Sequence, residues 1–192
     1  FAYEELGGEH LTFQFGARVE RASFTPDADL PARAFTNLSG SVGLLARPTE
    51  GTTLAISLAR ASRNPALEEL YNNGPHAGNF AFEIGDPTLE SEHALGFDVA
   101  FRWRQPRVTG EVSYFLNDIS HFIYRRLTGE VDDGLPVTHF AAGDSRLQGV
   151  ESHVDVRVLS ALYVEGGVDY VRGELTTTGE ALPRMPPLRG RI

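Results

Sequence analysis

The chain has 192 residues, of which 41% are hydrophobic and 22% charged, a balance typical of folded chains rather than disordered ones. It contains no Cys, which excludes disulfides, thiolate metal sites and thiol catalysis. The net charge of -9 argues against nucleic acid as a partner, because phosphate binding needs clustered Lys and Arg. No run of about 18 apolar residues predicts a transmembrane helix, but a membrane strand needs only about 10 residues of alternating character.

Alternation of apolar and polar residues with a period of two is the dominant pattern, and it places successive side chains on opposite faces of a strand. In the clearest segment, Leu95, Phe97 and Val99 lie on one face, whereas Asp98 and Arg102 lie on the other. Such segments run for about 10 residues, which is typical of membrane strands and long for soluble ones. In chain order they lie near residues 11–20, 38–47, 53–61, 95–104, 108–117, 150–158 and 162–170, and an eighth begins near Leu188.

Short and long connections alternate between these segments. Tight turns are predicted at residues 47–51, 104–107 and 159–161, and long connections at 24–34, 63–92, 119–147 and 175–187. Bacterial membrane barrels alternate in this way, with short periplasmic turns and longer extracellular loops. The sequence therefore predicts an all-β fold, an antiparallel up-and-down transmembrane β-barrel, of which this chain supplies about seven or eight strands.

Two other architectures give a similar pattern. A soluble antiparallel sandwich or barrel with one solvated face would show the same alternation, and eight strands could close a small barrel. Strand length and unequal loops favour part of a larger membrane barrel. The chain begins without a signal peptide and ends at Arg191-Ile192 as a new segment begins, so we expect a fragment.

One loop carries a family resemblance. Arg63, Pro65 and the run Glu69-Leu70-Tyr71 are followed by Gly85-Asp86-Pro87-Thr88-Leu89 and then Glu92. This order resembles the barrel signature of TonB-dependent outer-membrane receptors, in which an Arg-x-Pro-x-x-x-Glu-Leu-Tyr loop returns through Gly-Asp-Pro-x-Leu-x-x-Glu. Further resemblances follow in the family's order at residues 114–123, at 149–151 and in the Pro-rich stretch 182–189.

The resemblance implies a receptor in the bacterial outer membrane that imports a scarce nutrient, such as a ferric siderophore, haem or zinc. Residues 1–192 would form part of the barrel domain, and the plug that fills such a barrel lies outside this sequence. The implied partners are outer-membrane lipid, a small nutrient ligand such as a metal chelate, and the TonB energy-transducing complex, which acts through the missing plug segment. The resemblance implies neither a bound cofactor nor an enzymatic activity.

Two other functions remain open. A passive porin-like channel would have the same strands without a plug, and an outer-membrane barrel enzyme would need a nucleophile. No Gly-x-Ser-x-Gly elbow occurs, and Gly143-Asp144-Ser145 lies in a predicted loop. Ser145 is thus the residue that a serine-reactive probe would test.

Candidate ligand-binding residues lie in the long loops. If those loops meet outside the barrel, His76 and His121 could bind a metal together with Glu83 or Asp86, because imidazole and carboxylate groups are common zinc ligands. Pro65 is expected to begin a short helix, and Trp103 is expected to lie in an interfacial aromatic girdle. The full set of candidate substrate-binding residues is His76, Glu83, Asp86, His121, Tyr124 and His139.

The polar faces of the strands carry many charges. A charge is costly against lipid but acceptable toward a wet or protein-filled interior, so these residues are expected to line the lumen. We also expect neighbouring strands to bring opposite charges together as cross-strand pairs. The residues are Asp98, Arg102, Glu111, Glu151, Asp155, Arg157, Glu165 and Asp169.

Overall fold

A computed structural model of the chain describes residues 1–26 and 29–192. The described part contains one short helix and a succession of strands. The strands are β1 (Ala2–Gly7), β2 (Leu11–Phe24), β3 (Arg33–Ala46), β4 (Thr52–Arg63), β5 (Asn73–His76), β6 (Ala81–Ile84), β7 (Glu92–Arg104), β8 (Val108–Asp132), β9 (Leu135–Leu159), β10 (Leu162–Leu175) and β11 (Arg189–Arg191), with helix α1 (Leu67–Tyr71) between β4 and β5.

The strands form one open sheet with up-and-down order. Neighbours along the path β1-β2-β3-β4-β7-β8-β9-β10-β11 pair antiparallel, and β5 and β6 lie off this path in the β4–β7 connection. The predicted partial antiparallel barrel is therefore confirmed. A strand that the sequence did not predict, β1, pairs with β2 over six residue pairs beginning at Ala2 and Ala17.

One face of the sheet is continuously apolar. Phe97, Phe101 and Val168 keep 37%, 40% and 50% of their surface exposed, so they do not pack into a compact water-soluble core. On β7 the apolar side chains run from Leu95 to Trp103, nine residues at about 3.3 Å each. With a strand tilt of about 40°, this length spans about 23 Å across the membrane, close to the apolar band of about 25 Å in outer-membrane barrels.

Polar residues end this apolar belt on the side of the long loops. Arg60 pairs with Leu95, Leu95 with Asp118, and Asp118 with Arg146, so the four residues form one row across β4, β7, β8 and β9. The Arg146 Nε and Asp118 Oδ1 atoms are 2.6 Å apart. The row marks the level at which the outward face changes from apolar to charged.

The opposite edge of the belt has short turns and an aromatic side chain. Trp103 stacks on Phe101 with ring centroids 5.8 Å apart, directly before the turn to β8. Gly110 lies opposite Trp103 in the register, and a Cβ there would be 2.3 Å from the indole ring. The location of Trp103 agrees with the predicted interfacial girdle.

The connections confirm the predicted asymmetry, with one correction. Residues 119–147 are not a loop, because β8 and β9 continue as a paired hairpin to a turn at Asp133 and Gly134. A β-bulge between Ile119 and Phe122, with His121 at a φ of 57°, shifts the period-two phase and hides the continuing strand. The predicted connection 24–34 includes residues 27 and 28, which lie outside the described residues.

No described helix is long and apolar enough to cross a membrane.

Candidate ligand-binding surface at the outer ends of the strands

The β4–β7 connection, residues 64–91, folds into a packed unit that we call the outer loop. Its helix α1 begins at Leu67 with Ala66 as N-cap, so Pro65 directly precedes the cap and does not lie in the first turn as expected. The Glu69 carboxylate accepts a hydrogen bond from the Ala66 N–H at 2.8 Å, half of a capping box. Leu70 is fully buried. It belongs to a small core at the outer ends of the strands, formed by Phe35, Leu70, Leu89 and Ile123 with Phe24, Tyr71 and Phe140 packed around it.

Arg63 is the electrostatic centre of this unit. Its guanidinium donates to both oxygens of Glu92 at 2.7 Å and to Glu69 at 2.9 to 3.1 Å. Glu92 also accepts the Ile123 N–H at 2.7 Å. Bidentate pairs of this kind fix orientation as well as charge. Arg63 and Glu92, the first and last charged residues of the signature motif, therefore join the outer loop to β4, β7 and β8.

The Gly-Asp-Pro segment holds the returning chain close to α1. Asp86 accepts hydrogen bonds from the Thr88 N–H and hydroxyl at 2.8 and 2.6 Å, as expected for an Asp that fixes a turn. Gly85 is required by close packing and not by a left-handed backbone angle. The φ of Gly85 is not positive, and a Cβ at this position would lie 2.6 Å from the Tyr71 backbone nitrogen.

Glu83 is buried and accepts hydrogen bonds from neighbouring side chains. Its Oε1 atom lies 2.5 Å from Arg125 Nη1 and accepts a hydrogen bond from Asn79 at 2.8 Å. The ring of His76 is 4.0 Å from the same oxygen. Two of the predicted ligand residues, His76 and Glu83, therefore lie together, although Glu83 is covered and His76 is the exposed member.

A recess of about 800 Å³ lies between the returning loop and the extended hairpin. It contains Asp86 and His139 from the predicted set, together with Arg126 and Phe140. β6 pairs with β9 in parallel beside it, with Ile84 opposite His139. The recess offers an imidazole, a guanidinium, a carboxylate and an aromatic ring to a ligand approaching the outer ends of the strands.

The remaining predicted residues lie on the hairpin. His121 sits at the bulge, where its N–H donates to Asp144 at 3.2 Å and its ring lies 3.8 Å from Glu90. The rings of Tyr124 and Phe122 stack with their centroids 6.5 Å apart, so Tyr124 packs against its neighbour on β8.

The structure does not assemble the predicted metal set. His76 faces Glu83, whereas His121 faces Glu90. Across residues 1–26 and 29–192, the one group of three or more metal-type side chains with ligand atoms within 4.8 Å consists of His153, Asp155 and Glu165. That group lies on the charged face of the sheet, far along β9 from the outer hairpin.

Sequence reasoning missed Asn79, Arg125 and Arg126. Arg125 is 42 positions from its partner Glu83, and only the register of the extended hairpin brings the two together. The adjacent arginines in the predicted 119–147 loop were the available signal, since consecutive cations in a ligand-facing segment suit anion binding.

The charged face of the sheet follows the prediction only in part. Arg102 and Glu111 form the expected cross-strand pair, with two hydrogen bonds of 2.8 and 3.0 Å. Between β9 and β10 the expectation is wrong, because like charges face each other. Asp155 lies opposite Glu165, and Glu151 lies opposite Asp169.

Ser145 does not have the surroundings of a nucleophile. It is 1% exposed, and its hydroxyl has no hydrogen-bond partner within the described part of the chain. An activated serine needs a base within hydrogen-bond reach. The position of Ser145 thus gives no support to the enzyme alternative.

An apolar outward belt, a charged inward face, short turns at one edge and a packed loop unit at the other define the wall of an outer-membrane type of β-barrel. A sequence model of the family described as "TonB dependent receptor-like, beta-barrel" matches residues 2–192. The chain belongs to this family of receptors and transporters.

Solved structures with the same fold include a copper transporter, OprC, with a TM-score of 0.81 and 21% identity over 96% of this chain. Another is the FrpB iron transporter from Neisseria meningitidis (F5-1 variant), with a TM-score of 0.69 and 20% identity over 94% of the chain. A third is a double mutant of the Serratia marcescens hemophore receptor HasR in complex with its hemophore HasA and heme, with a TM-score of 0.68 and 16% identity over 94%. The chain spans 29%, 27% and 38% of these three proteins, respectively.

Proposed function

We propose that the protein to which this chain belongs is an outer-membrane receptor that takes up a metal chelate or a similar scarce nutrient. The observation that carries the proposal is the outer loop, which is fixed by Arg63 to the barrel wall and leaves a recess of about 800 Å³ beside the extended hairpin. A rigid support with a few convergent polar groups is typical of a small-molecule site.

The recess supports a ligand with anionic groups. Arg126 and His139 line it together with the ring of Phe140, and Arg suits carboxylate or phenolate oxygens through paired hydrogen bonds. A ferric siderophore or haem carries such groups as well as apolar rings. Zinc is the alternative cargo, and the name of the OprC structure adds copper to the ions worth testing.

In this proposal the charged face of residues 1–192 lines a lumen closed by a plug, and the TonB complex supplies energy through that plug. The ligand binds from outside, and lipid covers the apolar belt. A passive porin-like channel would need no rigid outer loop, which makes it the weaker alternative.

Growth of a deletion strain on defined iron, zinc, copper, haem and cobalamin sources tests the proposal. We expect a defect on one source, and we expect complementation by the full-length wild-type gene to depend on TonB. Growth that is independent of TonB, together with non-selective uptake of small solutes, would favour the porin-like channel instead.

The double variant Arg126→Gln/His139→Gln then locates the ligand. We expect it to raise the Kd of the identified nutrient at least about tenfold, since each charge-assisted hydrogen bond contributes about 1.5–3 kcal/mol. Arg184→Gln is the matched control, because Arg184 lies outside the recess and makes one long contact of 3.4 Å to Asn79. Equal affinities in wild type and double variant would remove the recess from the proposal.

A further inference from the structure

The inward faces of β9 and β10 carry an arrangement that the import function does not explain. Two pairs of carboxylates face each other directly, Asp155 with Glu165 and Glu151 with Asp169. Like charges directly opposite each other destabilise a sheet. In residues 1–26 and 29–192, none of Glu151, Glu165 and Asp169 has an Arg nitrogen within 4.0 Å, in contrast to Glu111, which is paired with Arg102.

An imidazole lies beside the first of these pairs. His153 and Asp155 are two positions apart on β9, so both side chains point to the same face, and His153 Nε2 is 3.0 Å from Asp155 Oδ2. Glu165 approaches from β10. One ligand atom from each of the three residues lies within 4.8 Å of the others.

We propose that His153, Asp155 and Glu165 bind a divalent transition-metal ion, with Zn²⁺ as the best match, on the lumenal wall of the barrel. One nitrogen and two carboxylate oxygens form a donor set that zinc accepts, with a fourth position left for water or another ligand. Ligand atoms around tetrahedral zinc are about 3.4 Å apart for bonds of about 2.1 Å. The side chains of His153 and Asp155 are 42% and 40% exposed, so small rotations bring the three donors to that spacing.

The surroundings favour a cation over a neutral ligand. Two of the three donors, His153 and Glu165, line a recess of about 330 Å³, whose other charged lining residues are Glu111, Glu151, Asp169 and Arg191. Arg102 pairs with Glu111 and Arg189 lies opposite Asp169, but Glu151 and Glu165 still outnumber Arg191 in the recess. Their potential concentrates cations at this point of the wall. The ion would join β9 to β10 and relieve the repulsion between Asp155 and Glu165.

The binding step needs no change of oxidation state. Protons and metal ions compete for the same donor atoms, so metal binding to such a site weakens as pH falls. The site is separate from the outer recess, which is lined by residues 85–87, 126–128 and 139–142. Nutrient uptake and zinc binding by this group can therefore fail independently.

Zinc titration of the chelator-treated full-length protein in detergent tests the site. We expect one zinc ion more in wild type than in His153→Ala or Glu165→Gln, or a Kd at least about tenfold lower. Asp169→Asn is the matched control, since it removes one charge from the same patch and lies outside the donor set. A Co²⁺ titration, followed by the d–d absorption of the bound ion, gives a second measurement. It does not depend on the zinc affinities of other sites.

A basic segment of the full-length protein that covers the patch is the other possible source of positive charge. The Tm values of the same variants distinguish that segment from zinc. We expect zinc to raise the Tm of wild type and Asp169→Asn but not of Glu165→Gln. Equal zinc stoichiometry and affinity in all four proteins would overturn the proposal. Equal Tm changes in Glu165→Gln and Asp169→Asn, together with no effect of zinc on any Tm, would also overturn it. A basic segment that covers the patch predicts that result.

Discussion

Arg63 offers the sharpest test of how the outer loop is held. Its guanidinium lies between Glu69 and Glu92, whose side chains are only 15% and 11% exposed. Arg63→Met keeps the aliphatic stem and leaves two nearly buried carboxylates facing each other. Breaking a fully buried pair costs about 3–5 kcal/mol, and the partial exposure of Arg63 reduces this to about 2–3 kcal/mol.

Hydrogen exchange of residues 64–91 in the full-length protein measures this cost directly, because local opening sets the exchange rate of a packed loop. A loss of about 2–3 kcal/mol corresponds to exchange faster by about 30- to 150-fold. Arg102→Met is the matched control, since its pair with Glu111 is more exposed and is worth less than about 1 kcal/mol. Unchanged protection in Arg63→Met, or equal effects of the two variants on residues 64–91, would refute the reasoning.

Two further substitutions test packing at buried positions. A Cβ at Gly110 would lie 2.3 Å from Trp103 and 2.8 Å from the His153 carbonyl oxygen. Gly110→Val should therefore lower the yield of folded, heat-modifiable barrel on gels. Gly190→Val should leave that yield unchanged, because nothing lies within 4 Å of a Cβ at Gly190. Ser145→Ala should raise Tm because it removes a buried hydroxyl without a partner, whose burial costs about 1–3 kcal/mol. A lower Tm would show that the hydroxyl has a partner in the full-length protein.

Much of the barrel wall was predictable from the sequence because lipid and lumen impose opposite polarity on alternate residues. From Leu95 to Trp103 every second residue is apolar, and no helix or loop produces that order over nine positions. The short turns were visible for the same reason, since Pro48 and Pro106 interrupt the alternation. The helix of the outer loop followed from Pro65 and the acidic residues after it.

The features that the sequence concealed depend on register. The bulge at His121 changes the phase of β8 by one residue, so the extended hairpin reads as a loop. Another register shift, between Leu162 and Tyr163, sets the pairing of β9 with β10. Without that shift Asp155 would not face Glu165, and the site with His153 would not form. β1 was missed because Ala2–Gly7 is short and contains two adjacent acidic residues.

The outer recess could not be derived from spacing alone. Arg126 and Asp86 are 40 positions apart in the sequence, and they share a recess only because the outer loop returns beside the hairpin. The predicted residues His76 and His121 lie apart because one is on β5 in the outer loop, beside Glu83, and the other is at the bulge of β8, beside Glu90.

The central claim is that the apolar face contacts lipid and the charged face lines the lumen, and a nitroxide scan tests it most directly. Residues 1–192 contain no Cys, and in a full-length protein freed of any other Cys, single Cys substitutions along residues 95–103 can be labelled one at a time in bilayers. Oxygen collision rates should alternate with a period of two, with maxima at 97 and 101 and minima at 98 and 102. A flat profile, or labels at 97 and 101 shielded from both oxygen and aqueous relaxation agents, would contradict the account.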